Sequence, residues 1–340
     1  MVGIVSYGFY IPRNRIKVEE IARVWGKDVN NVRASLGIEE KAVSEEDEDS
    51  LTMAYESASM TLSDVKIKNG ALKVIFFGSE TPPYVVNPAS TILGEFLGID
   101  HNYLAYDTQF ACKAATGAII SASSLIESNF TKYALVVGSD KANAKPHDTL
   151  EYTASSASVS LLLGKNDMIL EVVDKTSYSS DTPDFWRREG IRYPSHGGRF
   201  TGKPSYFHHI RQASNILLHK TKIKPADFSY AIFHMPNGRF PIEVGLSLGF
   251  TKHQIEPSLI VRDLGNSYTA SALMGLVATL EVAKPGEMIF LASYGSGAGS
   301  DAFIFRVNKT IEKRRRMFRR QMEEKIYIDY PTYLKFMHTI

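Results

Sequence analysis

The sequence predicts an α/β protein made of two similar halves. Two observations carry that prediction. Strand-like apolar runs alternate with helical patterns along the 340 residues, and one arrangement of strand ends and helix starts occurs twice at fixed spacing. Taken in order, Gly3–Phe9 is an apolar run that reads as a first core strand, not as a signal peptide, since it lacks a basic lead and a cleavage site. Helical patterns follow at Val18–Trp25 and Leu51–Ser63, then a strand at Val74–Phe77 and a helix at Ala89–Leu97. Ala114–Ser128 is rich in small and apolar residues, the composition of a buried helix. Strands are predicted at Tyr133–Val137 and Ser158–Leu163, a helix at Tyr206–His219, and a strand at Tyr230–Phe233. Helices at Pro241–Leu248 and Tyr268–Val282 and strands at Met288–Ala292 and Ala302–Val307 complete the series.

The repeat has a measurable register. In the first half a strand ends at Glu80, Cys112 opens a small-residue helix, and the next strand ends at Ser139. In the second half a strand ends at His234, Asn266 opens a small-residue helix, and the next strand ends at Ser293. The interval is 32 from Glu80 to Cys112 (112 − 80) and 32 from His234 to Asn266 (266 − 234). It is 27 from Cys112 to Ser139 and 27 from Asn266 to Ser293. Loop lengths drift freely, so two coincident intervals argue for duplicated halves related by a pseudo-two-fold axis. The halves are read as 1–165 and 166–308, joined near residues 165–200, followed by a basic tail at 309–340. The four singled-out residues fall at carboxyl ends of strands or just after them, where open α/β sheets bind ligands.

Composition bounds the chemistry. The chain is 44% hydrophobic and 22% charged with a net charge of +2, the profile of a soluble globular protein with no general affinity for nucleic acid. No apolar run reaches the length of a membrane span. The single cysteine rules out an internal disulfide and a thiolate metal cluster, and points to a reducing compartment, hence the cytoplasm. No metal site is predicted.

Cys112 lies where a strand hands over to a helix, so the helix dipole and free amides are expected to lower its pKa. A buried structural cysteine is the alternative. A thiolate, a carboxylate, an imidazole and an amide make a set for acyl transfer coupled to carbon–carbon bond formation. Each residue also has a structural reading: Glu80 as a loop acid, His234 as a core histidine, Asn266 as a turn or helix-cap residue. Tyr294-Gly-Ser-Gly-Ala-Gly-Ser-Asp301 lacks the Gly-Lys-Ser/Thr ending of a phosphate loop, and reads as a turn that lets backbone approach a substrate.

Phe110-Ala-Cys-Lys-Ala, Gly78-Ser-Glu80, His234-x-Pro-Asn-Gly, Gly265-Asn266-x-Tyr and the glycine-rich loop resemble the 3-hydroxy-3-methylglutaryl-CoA synthases, in their compact archaeal form, within the thiolase superfamily. The likeness extends through Asp181-Thr-Pro-Asp-Phe-Trp-Arg-Arg-Glu-Gly and His196-Gly-Gly-Arg-Phe-Thr-Gly, and so covers nearly the whole chain. The resemblance implies a thiolase-like fold with the two halves in five layers, αβαβα. It implies that Cys112 takes an acetyl group from acetyl-CoA and Glu80 removes a methyl proton. The enolate then attacks acetoacetyl-CoA, whose keto oxygen is held and protonated through His234, and hydrolysis frees the product for isoprenoid synthesis by the mevalonate route. It places Asn266 and Ser296 at the acyl groups, Thr153, Arg199 and Thr201 along the channel, Arg239 at the CoA phosphates, and Asp28 and Val29 at the entrance. No cofactor is implied beyond the CoA thioester substrates. The implied assembly is a homodimer in complex with acetoacetyl-CoA thiolase and a small OB-fold bridging protein.

The sequence departs from that pattern at Glu243, where relatives often carry a second basic residue, and at Pro82, where they often carry histidine. Three rivals remain open. An initiating-type ketoacyl-acyl-carrier-protein synthase uses Cys–His–Asn, but its decarboxylative condensation needs no base such as Glu80. A plain thiolase wants a second cysteine. A scaffold subunit without catalysis would not need the set at all. The tail, with Lys313-Arg-Arg-Arg-Met-Phe-Arg-Arg320, reads as a solvated amphipathic helix, the alternatives being a surface for CoA or a docking element.

Overall fold

The computed structural model describes residues 1–68 and 70–340, the Arg199 side chain excepted. Nine strands form one sheet: β1 (Gly3–Tyr10), β2 (Leu72–Gly78), β3 (Leu104–Thr108), β4 (Tyr133–Lys141), β5 (Ser156–Gly164), β6 (Leu170–Ser179), β7 (Tyr230–Phe233), β8 (Met288–Ala292) and β9 (Gly299–Val307). Their order is β7-β8-β9-β6-β1-β5-β4-β2-β3. The order repeats outward from the middle. On one side β2 and β4 run parallel, β5 is antiparallel to β4, and β1 is antiparallel to β5. On the other side β7 and β8 run parallel, β9 is antiparallel to β8, and β6 is antiparallel to β9. The two sets meet where β1 pairs with β6 through Gly3–Glu171 and Ile4–Leu170. Among the described residues the second set adds no strand equivalent to β3 to this sheet.

Six helices cover this sheet: α1 (Ser50–Ser63), α2 (Ala89–Phe96), α3 (Ala114–Glu127), α4 (His208–Thr221), α5 (Phe240–Ser247) and α6 (Ser271–Leu280). Strand alternation decides which side chain meets which helix. Val74 and Phe76 of β2 share a core with α3 and α6, while Ile75 and Phe77 face α1 and α2. Ile289 and Leu291 of β8 join the α3/α6 core, while Phe290 and Ala292 pack with α4 and α5. Both faces of the central strands are therefore apolar, as expected for strands covered on both sides. The result is the five-layer thiolase-like arrangement, with α3 and α6 as its middle layer. β6 escaped sequence reading because most of its residues are half-buried and its pattern is mixed.

The tail differs from a solvated amphipathic helix. Arg314 donates to the carbonyls of Val5 at 2.7 Å and Asp167 at 2.8 Å. Arg315 donates to Leu280 and Ala283 just past the end of α6, and Arg316 to the Tyr7 carbonyl and the Asp64 carboxylate. Carbonyls left open at a helix end are good acceptors for guanidinium groups. Phe318 is buried in the main core. Ile326 and Tyr327 then pair in parallel with Asn14 and Arg15, on a small sheet that also holds Glu40–Val43, and Tyr330–Phe336 is a docked helix. Among the described residues no helix is long and apolar enough to cross a membrane.

Candidate active site

The site lies at the carboxyl ends of β2 and β7, where the two sets of strands face one another. Cys112 follows Ala111, whose φ of +46° is uncommon for a residue with a side chain. This turn leads into α3 and leaves Cys112 buried between the two sets. The glycine-rich loop closes over it: a Cβ on Gly295 would stand 2.6 Å from the Phe110 carbonyl oxygen, so only glycine fits there. Two cavities reach the cluster. One, of about 380 Å³, is lined by Cys112, His234, Asn266, Ser296, Thr153 and Thr201, with Tyr206 and Phe240 among its apolar walls. The other, of about 500 Å³, is lined by Glu80, Phe110, Asn143, Arg187 and Ser296 among others. Phe185, Tyr268 and Ser296 are common to both.

Glu80 is buried beside Cys112, and its Oε1 has no partner. Burial first, and then the Asp140 carboxylate, push its pKa up to about 8; the neighbouring Cys112 thiol and the Arg187 charge oppose this. Arg187 donates to the Glu80 carbonyl at 2.7 Å. Cys112 corrects the expectation of a lowered thiol pKa. Burial raises it well above the ordinary value, and the Glu80 carboxylate adds to the rise. A charge removed from water beside another negative charge outweighs the amides of one helix start.

Asp140, at the end of β4, organises this half. Its Oδ1 accepts from the Ser79 hydroxyl (2.9 Å), the Glu80 amide (2.8 Å), the Thr81 amide (2.9 Å) and the Thr81 hydroxyl (2.8 Å), and its Oδ2 from the Thr269 amide (2.9 Å). The carboxylate therefore fixes the Glu80 backbone and ties it to the start of the second small-residue helix. Behind Cys112, Lys113 and Asp301 form a buried ion pair at 2.8 Å that joins α3 to β9.

His234 is 1% exposed, and its Nδ1 has no partner. Its amide donates to the Ala292 carbonyl, and its own carbonyl accepts from the Tyr206 hydroxyl at 2.7 Å. Burial pushes its pKa down to about 3, which keeps the ring neutral near pH 7. Asn266 is held through its backbone. Its amide donates to the Thr153 carbonyl (2.7 Å), and its carbonyl accepts from the Ser155 amide (3.0 Å). Its side chain accepts from the Tyr268 amide at 3.1 Å.

The structure thus gathers Cys112, His234, Asn266, Ser296, Thr153 and Thr201 around one cavity, with Glu80 on the neighbouring cavity that shares Ser296. It does not bring in the others. Asp28 caps the helix Val29–Leu36 by accepting from the amides of Asn30 and Asn31, and Val29 packs against the small-sheet core. From that helix only Ser35 and Leu36 reach the cavity. Arg239 is exposed and faces Glu243 at 3.4 Å, while its neighbours Asn237 and Phe240 line the cavity. The Arg199 side chain lies outside the described residues. Sequence reasoning missed Asp140, Tyr268 and Arg187. Asp140 was detectable as a charge ending an otherwise apolar strand; the other two lie in motifs that carried the resemblance but were given no role there. Among the described residues no group of three or more histidines, cysteines or carboxylates is placed to hold a metal ion.

Residues 218–307 match the family model of the 3-oxoacyl-[acyl-carrier-protein (ACP)] synthase III C terminal. Over 337 residues the chain is 47% identical to the hydroxymethylglutaryl-CoA synthase of Methanopyrus kandleri, with 98% of this chain and 96% of that protein covered. The chain belongs to the hydroxymethylglutaryl-CoA synthase family. The hydroxymethylglutaryl-CoA synthase of Archaeoglobus fulgidus is likewise 47% identical, over 98% of both chains. Among solved structures, MvaS in complex with 3-hydroxy-3-methylglutaryl coenzyme A superposes with a TM-score of 0.90 at 23% identity, covering 99% of this chain and 91% of that one. An HMG-CoA synthase complexed with CoA gives 0.89 at 21% identity, covering 98% and 90%. At such identities these two establish the synthase fold.

Proposed function

We propose that this chain condenses acetyl-CoA with acetoacetyl-CoA and water to give 3-hydroxy-3-methylglutaryl-CoA and CoA. The observation that carries the reading is the buried Cys112 with Glu80 beside it and a neutral His234 lining the same cavity as the thiol, inside a synthase-family fold. Cys112 passes its proton to Glu80 and attacks the acetyl thioester, and CoA leaves with a proton. Glu80 then removes a proton from the acetyl methyl group. The enolate attacks the keto carbon of acetoacetyl-CoA. The neutral His234 ring donates a hydrogen bond to the keto oxygen as charge develops there, and the alkoxide takes up a proton through that ring to become the tertiary hydroxyl, with Asn266 and Ser296 beside the acyl groups. Water finally cleaves the thioester at Cys112. The pairing of a base with the thiol favours this reaction over decarboxylative condensation, which generates its enolate by loss of CO₂.

Thr153, Thr201 and Arg199 are assigned to the channel, Arg239 to the CoA phosphates once it turns from Glu243, and Asp28 and Val29 to the outer rim. Homodimerisation is supported by the exposed apolar run Tyr84, Val85 and Val86, two of them more than 85% exposed, and by the open edge of β3. Association with an acetoacetyl-CoA thiolase through an OB-fold protein would deliver one substrate directly, in the cytoplasm. Incubation of the purified chain with both thioesters tests the reaction: the account expects a six-carbon acyl-CoA by mass spectrometry, and its absence with substrates intact would refute it. Native mass measurement showing only monomer would remove the dimer.

A further inference from the structure

The tail ends in a second buried polar cluster that the mechanism does not use. Glu151 is fully buried in the turn Thr149–Tyr152, which contributes Thr149 and Leu150 to the substrate cavity. Its Oε1 accepts from the Tyr330 hydroxyl at 2.7 Å, and its Oε2 accepts from Trp25 Nε1 at 3.0 Å and the His147 amide at 2.8 Å. Its carbonyl accepts from Lys41 Nζ, which is also buried. Lys41 donates in turn to the Tyr333 hydroxyl at 3.1 Å and lies 4.4 Å from the centre of that ring. Tyr330 and Tyr333 belong to the tail helix, so two tail hydroxyls hold the buried carboxylate and the buried amine of this cluster.

The other side of the cluster is the site. Two residues after Glu151, the Thr153 carbonyl accepts the Asn266 amide. Gly265 has φ +85°, and a Cβ there would stand 2.7 Å from that carbonyl oxygen and 2.9 Å from Lys41 Cβ. Gly265, next to Asn266, is therefore packed against both Lys41 and the residue that ends the turn, with no room for a side chain between them. We propose that the tail helix Tyr330–Phe336 is a positioning brace for the substrate cavity: Tyr330 and Tyr333 clamp Glu151 and Lys41, and thereby fix Thr153 and Asn266. Tyr330 and Tyr333 are positioning residues, since neither touches the reacting atoms. For its catalytic consequence the inference rests on the proposed condensation.

The test uses the full chain with Tyr330→Phe and Tyr333→Phe combined, which keeps both rings and removes both hydroxyls. Amide hydrogen exchange reads the brace without catalysis: residues 149–153 and 265–266 exchange faster in the variant, while α3 and β4 do not. In turnover, acetylation of Cys112 persists and kcat for condensation falls on the order of tenfold, the effect of losing buried hydrogen bonds to charged groups. In an Asn266→Ala background the same pair of changes costs less than about twofold further, because both act through Asn266. A general loss of stability would instead add its full cost in either background. Arg320→Ala, on the exposed face of the tail, changes neither readout. Unchanged exchange at 149–153 and 265–266 overturns the brace, and so does full additivity. Altered exchange in a protein that makes no six-carbon product overturns the reaction and leaves the brace standing.

Discussion

The two sets of strands place different chemistry at equivalent positions, and the contrast is clearest one residue beyond Ser139 and Ser293. The first set has Asp140 there and the second has Tyr294. Asp140 lies beside Glu80, takes five hydrogen bonds, and adds to the rise of the Glu80 pKa. Tyr294 lies beside His234, with ring centres 6.1 Å apart, and donates its proton to Asp184 at 3.0 Å. Burial favours the neutral form of both Glu80 and His234, which raises the acid and lowers the base. A nearby carboxylate enhances the shift in the first set, and a phenol leaves His234 to burial alone. Duplication thus supplies one scaffold twice, and a different neighbour at the same position gives the acid of one copy an added charge and leaves the base of the other to burial.

Changes at the four strand ends break this comparison in order of size. Cys112→Ala abolishes acetyl-enzyme formation, read as the absence of a 42-Da adduct expected for an acetyl group on a thiol. Glu80→Gln still acetylates but loses condensation by roughly 10²–10⁴-fold in kcat, the usual scale of a general base. If it condenses normally, the base is misassigned. His234→Ala keeps acetylation and loses roughly 10²–10³-fold in condensation, as for removal of a single oxyanion donor. Asp140→Asn sharpens the electrostatic half of the argument. Condensation needs ionised Glu80, so kcat/KM rises as pH passes through about 8; removing the neighbouring charge moves that limb to lower pH. An unmoved limb contradicts the role given to Asp140.

The smallest effect is on stability. The folded-state pKa of Glu80 lies above its ordinary value, so the protonated form is favoured by folding. That contribution is fully present below the ordinary carboxyl range and is lost as pH rises toward 8. Glu80→Gln, which stays neutral, is therefore expected to gain thermal stability over the native chain more at pH 9 than at pH 5. Paired melting curves at the two values check this.

Much of this was legible in the sequence. The equal intervals of 32 and 27 residues placed Glu80, Cys112, His234 and Asn266 in one register, because buried strands and helices tolerate little length change. The apolar runs of β2, β4 and β8 were plain for the same reason. What escaped was set by tertiary context. The half-buried β6 lacks a clean period, and Asp28, Val29 and Arg239 were placed by likeness of motif, which does not report which way a loop side chain turns. The arginine run looked solvated because sequence cannot show that Leu280, Ala283 and Val5 present open carbonyls to it. The thiol pKa went the other way because the position at a helix start was visible and the depth of burial was not.

The most direct test of the central claim is mass spectrometry of Cys112 after incubation with labelled acetyl-CoA, with and without acetoacetyl-CoA. The account predicts a labelled acetyl group on Cys112 that acetoacetyl-CoA discharges as a labelled six-carbon acyl-CoA. An unlabelled Cys112, or an acetyl group that acetoacetyl-CoA fails to discharge, would contradict it.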